Sequence, residues 1–138
     1  MITRNSCYTY FCIEGEFNPD KVSELLNLTP EKAEKIGDLQ CDGTKREKAC
    51  WEFGKCMEYD VYIENQMRKT IAQLQDKIAL LNQIRQENNV SFTLLIVPTI
   101  YANDITPCLD PPLQIIDFCH ATRTRICFDV YVCDSEDK

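Results

Sequence analysis

The 138-residue chain has few of the features from which a function is usually inferred. It contains one histidine, one tryptophan and four glycines. So few glycines leave little room for flexible linkers or low-complexity tails. The glycine-rich phosphate-binding motifs, the serine hydrolase motif G-x-S-x-G and the metalloprotease motif H-E-x-x-H do not occur in it. These absences remove the simplest nucleotide-binding, hydrolase and metalloprotease interpretations.

Positive charge and long apolar runs are also scarce. Fifteen basic residues stand against 22 acidic ones, and the net charge is -7. Binding to nucleic acid requires a basic surface, so we expect no nucleic-acid partner. No run approaches the roughly 18 apolar residues of a membrane span, and glutamates interrupt the segment where an export signal would lie. The sequence therefore predicts a cytoplasmic protein that does not contact a membrane.

Cysteine, in contrast, is abundant, with nine residues. Cytoplasmic disulfides are rare, and an odd number of thiols cannot pair completely within one chain. Zinc sites are typical of closer spacings such as C-x-x-C. Four or five residues separate the two members of each of the pairs Cys7 and Cys12, Cys50 and Cys56, and Cys127 and Cys133. We therefore expect reduced thiols that act as small hydrophobic residues, and we expect no metal and no other cofactor.

Catalytic residues are not indicated either. His120 follows Cys119 directly, and successive helical residues point about 100° apart, so the two side chains would not face each other. The many carboxylates have no spacing that would bring two of them together as an acid and a base. The sequence predicts a protein that is not an enzyme.

Alternation and helix-capping residues outline the N-terminal half. Cys7 to Glu16 alternates as a strand, with Cys7, Thr9, Phe11 and Ile13 on one side. Asn18 is suited to cap a helix and Pro19 to begin it, and this helix is expected to end near Asn27. The next predicted elements are a short strand at Ala33 to Ile36, a polar loop at Gly37 to Lys48 with a turn at Asp42-Gly43, and a strand at Ala49 to Met57.

The C-terminal half begins with a helical pattern. Apolar residues recur every three or four positions from Val61 to Asn88, where Asp60 would cap one helix and Asp76 a second. The pattern leaves open whether this region is one helix or two, and a coiled-coil seam is a further alternative. The remaining predictions are a strand at Val90 to Tyr101 with Pro98 at an edge or bulge, a helix at Leu113 to Ala121, a strand at Thr124 to Cys133, and a disordered tail at 134–138.

The resulting order is β-α-β-β-α-β-α-β within a single domain spanning 1–138. This order indicates an α+β fold with a mixed, mainly antiparallel sheet of four to five strands. Helices would pack mostly on one face of the sheet. The arrangement is akin to ferredoxin-like domains.

Several short segments resemble one protein family. They include Ile13-Glu14-Gly15, Phe17-Asn18-Pro19, the helix end Leu25 to Pro30, Lys35 to Asp38, and the closing Ile126 to Tyr131. In these segments, and in the position of Trp51, the chain resembles the bacterial domain of unknown function 4279. The resemblance implies a small single-domain fold without assigned catalytic residues. Some similar proteins accompany toxin-immunity systems, which implies an immunity-like function.

The candidate partner-binding residues are grouped around the charged loop. Asp38, Asp42, Glu47 and Glu52 would present negative charge to a basic protein such as a toxin. Trp51 is either an anchor of this surface or a core residue. The expected function is steric occlusion of a cognate toxin. The alternative is a small-ligand sensor or enzyme with a pocket between the sheet and the 37–48 loop, and the protein would be a monomer or a homodimer.

Overall fold

The computed structural model describes residues 4–59 and 62–134. These residues form six strands and four α-helices. In chain order they are β1 (Ser6–Glu16), α1 (Pro19–Leu26), β2 (Lys32–Glu34), β3 (Ala49–Glu58), α2 (Glu64–Ile71), α3 (Ile78–Glu87), β4 (Asn89–Tyr101), α4 (Leu113–Thr122), β5 (Arg125–Phe128) and β6 (Tyr131–Cys133). The predicted succession holds. The long helical region is two helices, one of the two alternatives left open by the sequence, and the last predicted strand is divided into two short strands.

The strands form one mixed sheet in the order β2-β3-β1-β4-β5, and β6 also pairs with β4. The pairs β1–β3, β1–β4 and β2–β3 are antiparallel, whereas β5 and β6 run parallel to β4. A parallel partner requires a crossover connection, and α4 supplies it. The fold is therefore α+β with a mostly antiparallel sheet, which has six strands instead of the four to five expected.

The core lies between this sheet and a single layer of helices. The predicted alternation of β1 is confirmed, because Cys7, Thr9, Phe11 and Ile13 are all buried. All four helices contribute side chains to the same hydrophobic cluster. Three phenylalanines meet at its centre. The ring of Phe11 packs edge to face against the rings of Phe92 and Phe118, with ring centres 5.5 and 6.2 Å apart. The second face of the sheet is left without a covering layer among the described elements.

The first helix has the termini that the sequence predicts. Asn18 Oδ1 accepts a hydrogen bond from Asp20 N at 3.0 Å, and Pro19 occupies the first helical position. At the other end Asn27 adopts a left-handed conformation, and Leu28 N donates to Ser23 O at 3.2 Å. Both termini are satisfied locally, so this helix could be located from sequence.

The 61–88 region divides at a 3-10 turn, Gln75–Lys77, so its interpretation as two helices is correct. Asp76 does not cap the second helix, because Lys77 occupies the cap position without a side-chain hydrogen bond. The apolar residues of the region, such as Met67, Ile71 and Leu81, are buried in the chain's own core, and the coiled-coil alternative is therefore wrong. The predicted cap Asp60 and the predicted tail beyond 134 lie outside the described residues.

Pro98 explains why the last predicted strand is interrupted. Ile96 O accepts a hydrogen bond from Asp129 N at 2.9 Å, so the even-numbered residues of β4 direct their backbone groups toward β5 and β6. Pro98 has no N–H to donate on that side. Pairing stops opposite it, between Phe128 and Tyr131, and resumes in the same register. Pro98 itself lies within the central strand β4 and not at the sheet edge.

A bulge in β3 reverses the side-chain alternation along that strand. Phe11 pairs with Phe53 but Thr9 pairs with Cys56, so one extra residue lies on β3. Gly54, with φ of +78°, forms this bulge. Glu31 accepts hydrogen bonds from both bulge amides, Gly54 N at 3.0 Å and Lys55 N at 2.9 Å. The bulge is therefore held by defined contacts.

Candidate functional site

The loop predicted to bind a partner is an ordered hairpin. Gly37 N donates to Arg46 O, and Arg46 N donates to Asp38 O, each at 2.9 Å. Asp42 Oδ1 accepts from Thr44 N at 3.0 Å and from Thr44 Oγ1 at 2.6 Å, and these hydrogen bonds lower the pKa of Asp42. Asp38 Oδ2 accepts from the backbone N–H of Lys35 at 2.7 Å. Two of the predicted partner-binding carboxylates therefore shape the hairpin itself.

The hairpin also carries equal numbers of acidic and basic residues. Its segment 37–48 carries three carboxylates, Asp38, Asp42 and Glu47, and three basic residues. The basic residues are Lys45, Arg46 and Lys48. Arg46 also forms a salt bridge with the sheet, because its guanidinium lies 3.1 Å from the carboxylate of Glu34 in β2. The hairpin does not form the strongly acidic surface expected of it.

Trp51 and Glu52 lie on opposite faces of β3. Trp51 is fully buried, its Nε1 donates to Ser23 Oγ at 2.9 Å, and its ring stacks on Phe53 at 5.4 Å. Trp51 is therefore a core residue, and its assignment to the partner-binding surface is wrong. Glu52 faces the other side of the sheet, where it is opposite Cys12 on β1 and Lys32 on β2.

We define the open face as the sheet surface opposite the helices. Its central side chains, placed there by the strand register, are Tyr8, Tyr10 and Cys12 of β1, Lys55 and Met57 of β3, Leu95 and Val97 of β4, Cys127 of β5 and Tyr131 of β6. Tyr8 and Tyr10 stack at 6.1 Å, and Lys55 Nζ lies 4.6 Å from the centre of the Tyr8 ring. Met57 and Tyr131 are each 53% exposed, so this surface is accessible.

Two titratable groups at the centre of the open face, Tyr10 and Cys12, are uncharged at neutral pH. Desolvation by the surrounding side chains, followed by the charge of Glu52, raises the pKa of Tyr10 to about 12. The same two causes raise the pKa of Cys12 to about 12. A thiol with so high a pKa is not an activated nucleophile. The Tyr10 hydroxyl and the Cys12 thiol can form hydrogen bonds and apolar contacts, but neither is activated as a nucleophile.

A groove at one end of the open face is rich in carboxylates. It has a volume of about 440 Å³ and is lined by eight residues: Glu14, Gly15, Glu16, Glu47, Lys48, Asn89, Val90 and Ser91. Three of these are glutamates and one is a lysine, so the groove carries a negative excess. We call it the acidic groove. Glu47 is the predicted partner-binding residue that the fold brings together with other carboxylates.

The thiols and the histidine do not form a reactive centre. All nine cysteines are free, and residues 4–59 and 62–134 contain no group of three or more potential metal ligands. Burial raises the pKa of Cys7 and of Cys119 to about 11. Cys119 packs in the core, whereas His120 is exposed at the end of α4. As expected from their succession in a helix, the two side chains do not converge.

The space between the sheet and the hairpin does not have the lining expected of a small-ligand pocket. A groove of about 390 Å³ there is lined only by polar and charged residues, from Glu14 and from Gln40 and Thr44 to Lys48 of the hairpin. No aromatic residue of the described chain lines it. Specific small-ligand sites are mainly apolar with a few placed polar groups, so this groove gives little support to a sensor or enzyme.

Comparison with known proteins adds the family. A family model described as "Domain of unknown function (DUF4279)" matches residues 5–133, which is nearly the whole chain. The chain belongs to the DUF4279 family. No curated protein and no solved structure matched it. The DUF4279 match confirms the resemblance seen in the short segments, and it assigns no activity. Within the described residues of this DUF4279 chain, no helix is long and apolar enough to cross a membrane.

Sequence reasoning missed the open face of the DUF4279 chain as a candidate site. The alternation of β1 does place Tyr8, Tyr10 and Cys12 on the side opposite the core residues. That pattern is compatible with a strand covered on both faces or on one. The missing information was the position of all four helices on the same face, which depends on contacts between distant segments.

Proposed function

We propose that this DUF4279 protein is a non-enzymatic binding protein. Its open face and acidic groove would contact a basic protein partner. In its most specific form the proposal is an immunity-like function, in which the protein covers the active surface of a cognate toxin. The observation that carries it is the uncovered, tyrosine-lined face of the sheet, because an exposed patch of this kind marks an interaction surface.

The composition of the open face supports a protein partner. Tyrosine, methionine and arginine are enriched at the centres of protein interfaces, where tyrosine combines a large apolar ring with a hydrogen-bonding hydroxyl. Three tyrosines and Met57 lie here around Val97, which is only 2% exposed. Charged side chains such as Lys32, Glu52 and Arg125 lie nearer the margins. Apart from Lys55, which lies over the Tyr8 ring, the centre consists of apolar, tyrosine and cysteine side chains. Such a centre with a polar rim is the usual anatomy of a specific interface.

The acidic groove supports a basic partner. Glu14 belongs both to the open face and to the groove, so one partner surface could contact the two together. The net charge of -7 would attract a basic protein over longer distances and accelerate its encounter. Inhibition would then follow from occlusion, without chemistry on the partner.

Two further parts of the proposal concern fold and location. The order β2-β3-β1-β4 with antiparallel pairing supports a ferredoxin-like unit, to which α4, β5 and β6 would be an addition. Nine free thiols suit a reducing compartment, which supports action in the cytoplasm.

The test is co-expression with toxin candidates encoded beside the protein, followed by co-purification and measurement of affinity. We expect Met57→Glu to weaken a recovered complex about tenfold or more, because it buries a carboxylate among the apolar and tyrosine side chains at the centre of the interface. Gln83→Glu, which adds the same charge on the exposed side of α3, should change the affinity less than about twofold. A complex insensitive to Met57→Glu, or the absence of any protected toxin, would contradict the proposal.

A further inference from the structure

The outer edge formed by β5 and β6 has backbone groups that no described strand pairs with. Both strands pair with β4 on one side only. Asp129 N donates to Ile96 O, and Cys133 O accepts from Ala102 N, both at 2.9 Å. Odd-numbered residues therefore direct their backbone groups toward β4. By alternation, the N–H and C=O groups of Ile126, Phe128 and Val132 point to the outer side.

Apolar side chains are exposed along the same edge. Phe128 is 40%, Val130 44% and Val132 73% exposed. An edge with unpaired backbone groups and exposed apolar side chains is a template for an additional strand. Natural proteins usually protect such edges with charges, prolines or a covering element. Here the edge is short, with strands of four and three residues, and carries Arg125 and Asp129, but no described element covers the outward backbone groups of Ile126 and Phe128.

A groove beside this edge is lined by positively charged side chains, which would favour a negatively charged strand at the edge. The groove has a volume of about 940 Å³ and is lined by Ile116, Cys119, His120 and Ala121 of α4 and by Arg123, Thr124, Arg125 and Ile126. Two arginines line it, and none of the described lining residues is a carboxylate. Three of the last carbonyls of α4 are already bonded, because Arg123 N donates to His120 O, Thr124 N to Cys119 O and Asn82 Nδ2 to Ala121 O. The arginines therefore determine the sign of the groove.

We propose that the β5–β6 edge binds an extended acidic peptide segment, which adds to the sheet as a further strand. Its backbone would pair with Ile126 and Phe128, its apolar side chains would contact Ile116 and Ile126, and its carboxylates would lie at the two arginines. This mode of recognition combines main-chain hydrogen bonds with side-chain contacts at alternate positions. A second copy of the chain fits less well, because edge-to-edge pairing would bring two sets of the same arginines into one interface.

This site borders the open face and shares Arg125 with its margin. The peptide would pair with the backbone of the sheet edge and not with the face, so the proposal does not depend on the proposed function. The acidic peptide must bind despite the overall charge of -7. At an ionic strength of 0.15 M charges are screened over about 8 Å, so the nearby arginines outweigh distant carboxylates. Binding should therefore be measured at this ionic strength and not at low salt.

The experiment uses the full chain and three synthetic peptides with blocked ends. The first alternates valine and glutamate, the second has lysine in place of every glutamate, and the third has proline in place of alternate valines. Binding is measured by fluorescence anisotropy, and amide exchange of Phe128 and Val132 is followed by NMR. We expect the glutamate peptide to bind and to slow exchange at both amides, whereas the other two peptides should bind at least about tenfold more weakly.

Two pairs of variants separate charge from backbone pairing. Arg125→Glu should weaken the glutamate peptide about tenfold, while Arg125→Gln, which only removes the charge, should have a smaller effect. Phe128→Pro removes an outward N–H and should abolish binding, whereas the matched Phe128→Ala keeps that N–H and should weaken binding only a few-fold. Equal binding of the glutamate and lysine peptides, or no slowing of exchange at Phe128 in the unmodified protein, would overturn the proposal.

Discussion

The bulge glycine of β3 offers the sharpest test of the fold. Gly54 has φ of +78°, and a Cβ atom added to it would lie 2.5 Å from the backbone oxygen of Thr70 in α2. Thr70 in turn donates from Oγ1 to Gly54 O at 2.7 Å. Replacing Gly54 with alanine would therefore place a methyl group against the backbone of α2.

The cost of Gly54→Ala has two parts. A left-handed conformation costs an alanine about 1 kcal/mol relative to glycine. Moving α2 away from the added methyl group costs about 1–3 kcal/mol more, as in other overpacked cores. Gly43→Ala is the matched control, because Gly43 has φ of +85° but no atom within 4 Å of the added Cβ. We expect losses of about 2–4 kcal/mol for Gly54→Ala and about 1 kcal/mol for Gly43→Ala.

The free energy of unfolding can be measured in urea from the fluorescence of the single tryptophan, Trp51, which is fully buried. Each kcal/mol should also lower the Tm by about 3–4 °C in a chain of this size. The difference between the two variants isolates the close approach of α2 to the bulge. If both variants lose the same free energy, that close approach is not the reason for glycine at position 54.

Three further predictions concern buried polar and titratable groups. Thr70→Val removes the hydroxyl that bonds to Gly54 O and to Thr9 Oγ1, and it should cost about 2–3 kcal/mol in urea unfolding; a loss below about 0.5 kcal/mol would contradict the network. Alkylation followed by mass spectrometry should modify the exposed thiols of Cys41 and Cys108 first, and equal rates at buried thiols would contradict their burial. The unfolded chain loses the Tyr10 proton near pH 10 and the folded chain near pH 12, so the free energy of unfolding should fall as the pH rises between these values. Tyr10→Phe should make this pH dependence less steep. An equally steep dependence in the variant would refute the raised pKa.

The elements that sequence predicted correctly depend on local interactions. The alternation of β1 and the cap at Asn18 involve residues within a few positions of one another, so no knowledge of the fold was needed. For Pro98 the sequence predicts only an edge or a bulge. Its actual effect, an interruption in the partner strand some 30 residues later, requires knowing which side of β4 the proline nitrogen faces.

The candidate site shows the same limit. Trp51 and Glu52 are adjacent in sequence, which suggests a shared surface, yet the pleat of β3 sends them to opposite faces. Glu47 joins Glu14 and Glu16 only because the hairpin returns to the end of β1. The tyrosines of the open face are visible as a pattern, but their exposure depends on where four helices pack. Proximity along the chain is therefore a poor guide to proximity on the surface.

The extra residue at Gly54 shifts the side-chain alternation of β3 by one position. Before it, Trp51 and Phe53 belong to the interior, and after it Lys55 and Met57 belong to the surface that carries Tyr8. Deleting one residue there would exchange the roles of the two sides for the rest of the strand. Consider two proteins that differ by one residue at this point. Their strands would pair in the same order, but the side chains of β3 that a partner contacts would be different. Insertions and deletions, as well as substitutions, are thus a route by which this surface can change what it binds.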